Sequence, residues 1–205
     1  TYYYWRKSII KENQLKAELA KVKIETELIN LKSQLDPHFL FNTFNTLIGL
    51  IEEDPKRGVK FTENLTEFFR SLSELGNKEM IKLAEELTLV ENYKQILAAR
   101  FGANLAISID PSIDQILPTY VPPMCLQMLI ENAVKHNEVS KNRPLNISIS
   151  QNSKFIVVKN EVHRKIGSQN KSLGIGNKNI IERYKLLNQP SPYIEQSEKE
   201  FIFYL

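Results

Sequence analysis

From Ser8 to Glu53 only Pro37 and Gly49 oppose a helix. Ile10, Ala17, Ile24 and Leu31 recur every seven residues, and Leu28 and Leu35 fall four after Ile24 and Leu31. That is a heptad seam, and His38 is the next position in the Ile10 series. Gln14 and Lys21 spoil the other seam position early, so the N-terminal half reads as a weak coiled coil. A helix this long cannot bury its own stripe, and the same segment supplies no partner. Parallel pairing with a second copy is the simplest way to cover it.

The segments that follow extend this pattern. Asp54-Pro55 and Gly58 punctuate the helix, and a second amphipathic segment runs from about Val59 to Leu75, with Phe61, Leu65, Phe68, Phe69 and Leu72 at helical spacing. Gly76-Asn77 stops it. Two antiparallel helices in a hairpin, doubled by a dimer, make a four-helix bundle. A third helix, about Ala84 to Arg100, meets a fitting C-cap in Gly102.

The patterning then changes. Leu105, Ile107 and Ile109 alternate with polar residues as a half-buried strand does, and Leu145, Ile147 and Ile149 do so again. Between them Pro122-Pro123 opens a helix to about Asn137. Gln151-Asn152-Ser153 turns into a strand from Phe155 to Lys159, and a polar stretch from Glu161 to Ser172 follows. A helix then runs from Gly174-Ile175-Gly176 to about Leu187, before strands near Tyr193 and Phe201 to Leu205. Helices laid on one face of a mixed sheet make this half an α+β layer fold. The expected domains are 1–80, a coiled coil and dimerisation hairpin, and 81–205, with the boundary between Gly76 and Lys82.

Composition narrows the function. A net charge of +3 over 205 residues is too weak to argue for nucleic acid. The single cysteine, Cys125, excludes an internal disulfide and sits in an apolar run, as a buried thiol does. Three histidines and one cysteine, widely scattered, give no zinc-type spacing. No window is apolar enough for a membrane span. Yet Tyr2, Tyr3, Tyr4 and Trp5 followed by Arg6 and Lys7 look like the cytoplasmic end of a transmembrane helix. A frayed terminus has the same composition. On the first reading the chain is the cytoplasmic part of a longer membrane protein, anchored upstream of Thr1.

Three stretches carry chemistry. His38, Asn42 and Asn45 share one helix face, while Phe39, Leu40, Phe41 and Phe44 cover much of the rest. The imidazole is either packed and satisfied or turned to a site, and spacing alone leaves both open. In the helix after Pro123, Leu126, Ile130, Ala133 and Val134 form the apolar stripe, with Glu131, Asn132, Lys135 and His136 opposite. That set suits a magnesium-bound polyphosphate. An amide oxygen can ligate the hard cation, a carboxylate can orient or deprotonate, and lysine supplies charge to phosphate oxygens. A solvated face with a Glu131–Lys135 ion pair explains the same residues. Gly174-Ile175-Gly176 opening a helix would let backbone amides approach phosphates, or is a plain turn.

Taken together these stretches resemble a family. Leu35-Asp36-Pro37-His38-Phe39-Leu40-Phe41-Asn42 looks like the phosphoacceptor motif of LytS-type bacterial sensor histidine kinases. Tyr120 through Gln127 with Ile130-Glu131-Asn132-Ala133-Val134-Lys135-His136 resembles their asparagine box, and Gly174 through Tyr184 their glycine box. Leu83-Ala84-Glu85-Glu86-Leu87 through Arg100-Phe101-Gly102 resembles their linker helix. The resemblance implies an ATP-binding α/β sandwich of the histidine-kinase, gyrase and chaperone ATPase type after the dimerisation hairpin. It implies that His38 takes the γ-phosphate of ATP and passes it to an aspartate of a response-regulator receiver domain. Asn132 would hold Mg²⁺, Glu131 would orient or deprotonate, and Lys135 and His136 would meet phosphates. Gly174, Gly176 and Lys178 would line a lid, and Asn160 would meet the adenine.

The sequence departs from that family in two places. Where the family has an aspartate and then a glycine, aligning on Val157-Val158-Lys159 puts Asn160 and Val162. Asparagine can accept the adenine hydrogen bond, but without charge, so weaker ATP binding is expected. Phe39 follows His38 where other histidine kinases carry an acid, which leaves Asp36 and Asn42 as its polar neighbours. The alternative is a dimeric signalling scaffold of the same fold that no longer uses ATP.

Overall fold

The computed structural model describes residues 37–75, 78–113, 119–152, 154–163 and 175–205; the heptad seam, the aromatic N-terminus and the polar stretch 164–174 lie outside them. The chain divides into two compact units, Thr1–Asn45 and Thr46–Leu205. Helix α1 is Pro37–Glu53, and α2 is Pro55–Leu75. The second helix starts about four residues before the expected Val59. Asp54 accounts for the difference: its Oδ1 accepts the amides of Lys56 at 3.0 Å and Arg57 at 3.3 Å, and Pro55 takes a first-turn position that needs no N–H. Gly58 therefore does not break the helix. A Cβ there would lie 2.9 Å from Ile51 Cγ1, so glycine lets the second helix approach the first.

Phe61, Leu65, Phe68 and Leu72 form the buried stripe of α2. They face α3 (Leu83–Phe101), where Phe68 stacks on Tyr93 with ring centroids 5.5 Å apart and planes at 27°. Such a stack adds about 0.5–1.5 kcal/mol to the burial of the rings. Glu85 closes the start of α3 by accepting the Lys82 amide at 2.9 Å. Gly102 caps its end at φ 54°, where a side chain would strain the backbone.

Two short strands that alternation could not reveal, β1 (Ile81–Lys82) and β3 (Tyr120–Val121), pair antiparallel across the start of α3. The main sheet holds β2 (Leu105–Ile109), β4 (Leu145–Gln151), β5 (Ile156–Glu161), β6 (Tyr193–Gln196) and β7 (Glu200–Tyr204). Its order is β2-β4-β5-β7-β6, with only β2 and β4 parallel. Leu145, Ile147, Ile149, Ile156, Val158 and Phe203 are buried. Helix α3 packs on β2 and helix α4 (Cys125–His136) on β4 and β5, while α5 (Ile175–Leu186) packs against α4. This is the expected α+β layering, with helices on a mixed sheet. Among the described residues no helix is long and apolar enough to cross a membrane.

One buried acid belongs to this core. Glu86 of α3 is fully buried and accepts the Met124 amide at 2.8 Å and the Leu126 amide at 2.9 Å. The Gln127 amide and the Cys125 thiol also donate to it. Burial pushes its carboxyl up to about 7, against the opposing pull of those donors. Folding at intermediate pH therefore binds a proton: the associated stability is complete below the unfolded value of 4.5 and is lost as pH rises through about 7. From pH 5 to pH 8 the wild type should lose about 3 kcal/mol relative to Glu86→Gln. Urea unfolding of both proteins at each pH measures this, and a difference that stays flat contradicts it.

Candidate functional site

Helix α4 presents the asparagine-bearing face. Leu126, Leu129, Ile130 and Ala133 are buried toward the core, while Glu131, Asn132 and His136 are half-buried and Lys135 is exposed. Val134, expected in the apolar stripe, is only half-buried; Leu129 takes its place. The four polar residues thus lie off the core face, as the spacing predicts.

The first turn of α5 meets this face. Asn132 Nδ2 donates to Asn177 Oδ1 at 3.0 Å, and Asn177 is buried. The bond engages the amide nitrogen, so Oδ1 is the atom of Asn132 suited to a cation. Gly176 stands against the same amide: a Cβ there would lie 2.6 Å from Nδ2 and 2.8 Å from Oδ1. Glycine is required here by close approach rather than by an unusual φ. The first backbone N–H groups of a helix have no intrahelical acceptor, and those of α5 begin beside Asn132. Amides and a helix N-terminus together are chemically suited to an anion paired with a divalent cation. Lys178, one residue beyond Asn177, is exposed.

The far end of α4 is tied to the sheet. Asn137 Nδ2 donates to Ala133 O at 2.9 Å, and its Oδ1 accepts the His163 amide at 2.6 Å. The Glu138 amide in turn donates to His163 O at 2.7 Å. Residues after β5 are therefore laid against the C-terminal end of the asparagine helix. Asn160, buried near the end of β5, donates from Nδ2 to Glu161 O at 2.6 Å. Its paired neighbours are Ile147 and Phe201, so it stands inside the sheet and not on an edge.

Two expected residues are not placed. Gly174 lies outside the described residues, and of His38 only the helical backbone is described. Around His38, Asn42 is half-buried and Asn45 exposed; Phe41 and Phe44 are 71% and 51% exposed, so these two rings face outward and not into a core. Reading by spacing gave no role to Asn177, Asn137 or Glu86. Glu86 did carry a signal: it falls three residues after Leu83 and three before Leu89, on the apolar face of its helix.

Gly176→Ala should displace the Asn132 amide while changing the unfolding free energy by less than about 1 kcal/mol, because gained helix propensity offsets one lost hydrogen bond. A shifted Asn132 side-chain NH₂ cross-peak in the ¹⁵N–¹H spectrum is the expected readout. An unmoved peak contradicts the close packing described.

Comparison with known proteins agrees with the motifs. A family model described as histidine kinase matches residues 26–105. The chain is 29% identical over 208 residues to the sensor protein LytS of Oceanobacillus iheyensis, covering 90% of this chain and 35% of that protein. It is 36% identical over 119 residues to LytS of Staphylococcus haemolyticus, covering 57% of this chain and 20% of that protein. The chain thus spans about a third or less of the length of these curated relatives. Among solved structures, the Acinetobacter baumannii histidine kinase AdeS aligns at 19% identity with a TM-score of 0.39, over 80% of this chain and 92% of that one. Over the region it shares with its sequence relatives, the chain is similar to LytS-type sensor histidine kinases.

Proposed function

We propose that this chain is the kinase core of a two-component sensor: a homodimer that binds ATP with Mg²⁺, phosphorylates its own His38 and hands the phosphoryl group to a response-regulator aspartate. The observation that carries the reading is the meeting of Asn132 with Gly176 and Asn177. Two motifs more than forty residues apart in sequence come together as an amide, a glycine and a helix N-terminus. In this reading residues 1–80 form the dimerisation and phosphoacceptor part, and 81–205 the nucleotide-binding part. The relative from Staphylococcus aureus named a sensor histidine kinase/phosphatase, 28% identical over 156 residues, adds weight to it.

The residues present fit the proposed ligands. Asn132 Oδ1 is a hard oxygen donor for Mg²⁺, which when bound would neutralise polyphosphate charge. Lys135, His136 and Lys178 would place donors toward phosphate oxygens, with backbone amides near Gly174 and Gly176 supplying others. Glu131 would orient or deprotonate. Asn160 would accept from the adenine through Oδ1, since its Nδ2 is held by Glu161 O. Phosphoryl transfer asks the protein mainly for alignment and charge neutralisation. His38 must be neutral, because a protonated ring has no lone pair for attack. Its nitrogen forms the new N–P bond as the γ-phosphorus bond to the ADP oxygen breaks. In the second step an aspartate oxygen of the regulator takes the phosphoryl group and the N–P bond is lost.

Asn160 also favours a second reading, a dimeric scaffold that docks a regulator without using ATP, because a buried amide offers adenine no charge. Incubation with γ-labelled ATP and Mg²⁺ separates the two. The kinase reading expects label that is acid-labile, base-stable and absent from His38→Ala. No label at millimolar ATP contradicts it and leaves the scaffold.

A further inference from the structure

Helix α4 begins under an unusual constraint. Pro122 and Pro123 bring no N–H to the turn before it, and Met124, its N-cap, adopts a left-handed φ of 68° with no side-chain cap. Pro122 through Gln127 are all buried, so the first amides of the helix cannot turn to water. A buried amide without an acceptor costs about 1–3 kcal/mol. A different element supplies the acceptor: Glu86 of α3 takes the Met124 amide on Oε2 and the Leu126 amide on Oε1. The same turn is held from the other side, where Arg183 of α5 donates from Nη1 to Pro123 O at 2.9 Å. Helices α3 and α5 therefore grip one turn of α4 between a carboxylate and a guanidinium. With the far end of α4 fixed by Asn137, the helix is pinned at both ends and Asn132 rides between.

We propose that Glu86 is a positioning residue for the nucleotide site: by gripping the first turn of α4 it sets where Asn132 stands against Gly176. The proposal rests on the nucleotide-site reading above. Glu86 touches no ligand and acts through the helix it holds. The neighbouring ionisable groups that meet it are Cys125 on α4 and Tyr184 on α5, and Arg183 of α5 faces Cys125 in turn. A glutamine in its place keeps the shape but turns an NH₂ toward one of the two amides. The grip then loses an acceptor, and the helix shifts or frays at its start. A group misplaced by about 1 Å commonly costs a site one to two orders of magnitude.

The test uses the full chain at pH 8, with wild type, Glu86→Gln and Arg183→Ala titrated with the non-hydrolysable Mg·AMP-PNP. The Asn132 side-chain NH₂ cross-peak, assigned by its loss in Asn132→Ala, is recorded in each. Glu86→Gln is expected to raise the Kd roughly tenfold and to move that peak, while peaks of β6 and β7 stay in place. An unchanged Kd, or a raised Kd with the Asn132 peak unmoved, overturns the positioning role; a merely structural loss would not single out that peak. If Glu86→Gln fails to fold, Arg183→Ala loosens the same turn and is read by the same two outcomes. A wild-type chain that binds no nucleotide defeats the functional reading and this proposal with it. Normal wild-type binding matched by both variants defeats this proposal alone.

Discussion

The buried start of helix α4 must find acceptors for its backbone amides, and much of the second unit is arranged around that need. Two prolines and a left-handed methionine bring the chain into the helix with no side-chain cap, and locally only the Pro122 carbonyl, 3.4 Å from the Cys125 amide, serves as an acceptor. The acceptor for the Met124 and Leu126 amides is Glu86, from a helix about forty residues earlier. Helix α3 in turn is fixed to α2 through Phe68 and Tyr93, and to the sheet through β2. An acid placed where an apolar residue would pack has its cost set by burial and offset by several hydrogen bonds. Once that geometry is met, Asn132 stands beside Gly176, and the two polar motifs of the sequence become one place.

Much of this was legible in the sequence. Alternation located β2 and β4, because a sheet covered on one face leaves a period of two, and the turn at Gln151-Asn152-Ser153 located β5. Gly102 ended α3 because only glycine tolerates the cap conformation, and helical spacing put Asn132 and its neighbours off the core face. The two-residue strands β1 and β3 were not legible, since a pair so short has no period. Helix α2 began earlier than its apolar pattern suggested, because its start is set by the Asp54 side chain and not by burial. The meeting of Asn132 with Asn177 depends on how α4 and α5 cross, which neither motif encodes alone. Glu86 could have been found by asking why an acid sits on the apolar face of α3.

Asn160 bears most directly on how strongly the site would hold its ligand. In the sheet it pairs between Ile147 and Phe201 and spends its amide hydrogen on Glu161 O. A carboxylate there could not donate that bond, so asparagine is not an empty replacement: it closes the end of β5 on itself and leaves one oxygen for recognition. The trade is a locally satisfied strand end against a charge that would strengthen a bond to adenine. Under the proposed function this lowers affinity without removing the acceptor, and phosphate and metal contacts from α4 and α5 carry more of the binding.

The most direct measurement is amide hydrogen exchange of the wild-type chain with and without saturating Mg·ATP analogue. A nucleotide held between the asparagine helix and the glycine-bearing helix should slow exchange in residues 125–136 and in 175–186 together, and leave β6 largely unchanged. Exchange unaltered in both helices, or slowed only elsewhere, would contradict a nucleotide site at the meeting of Asn132 and Gly176.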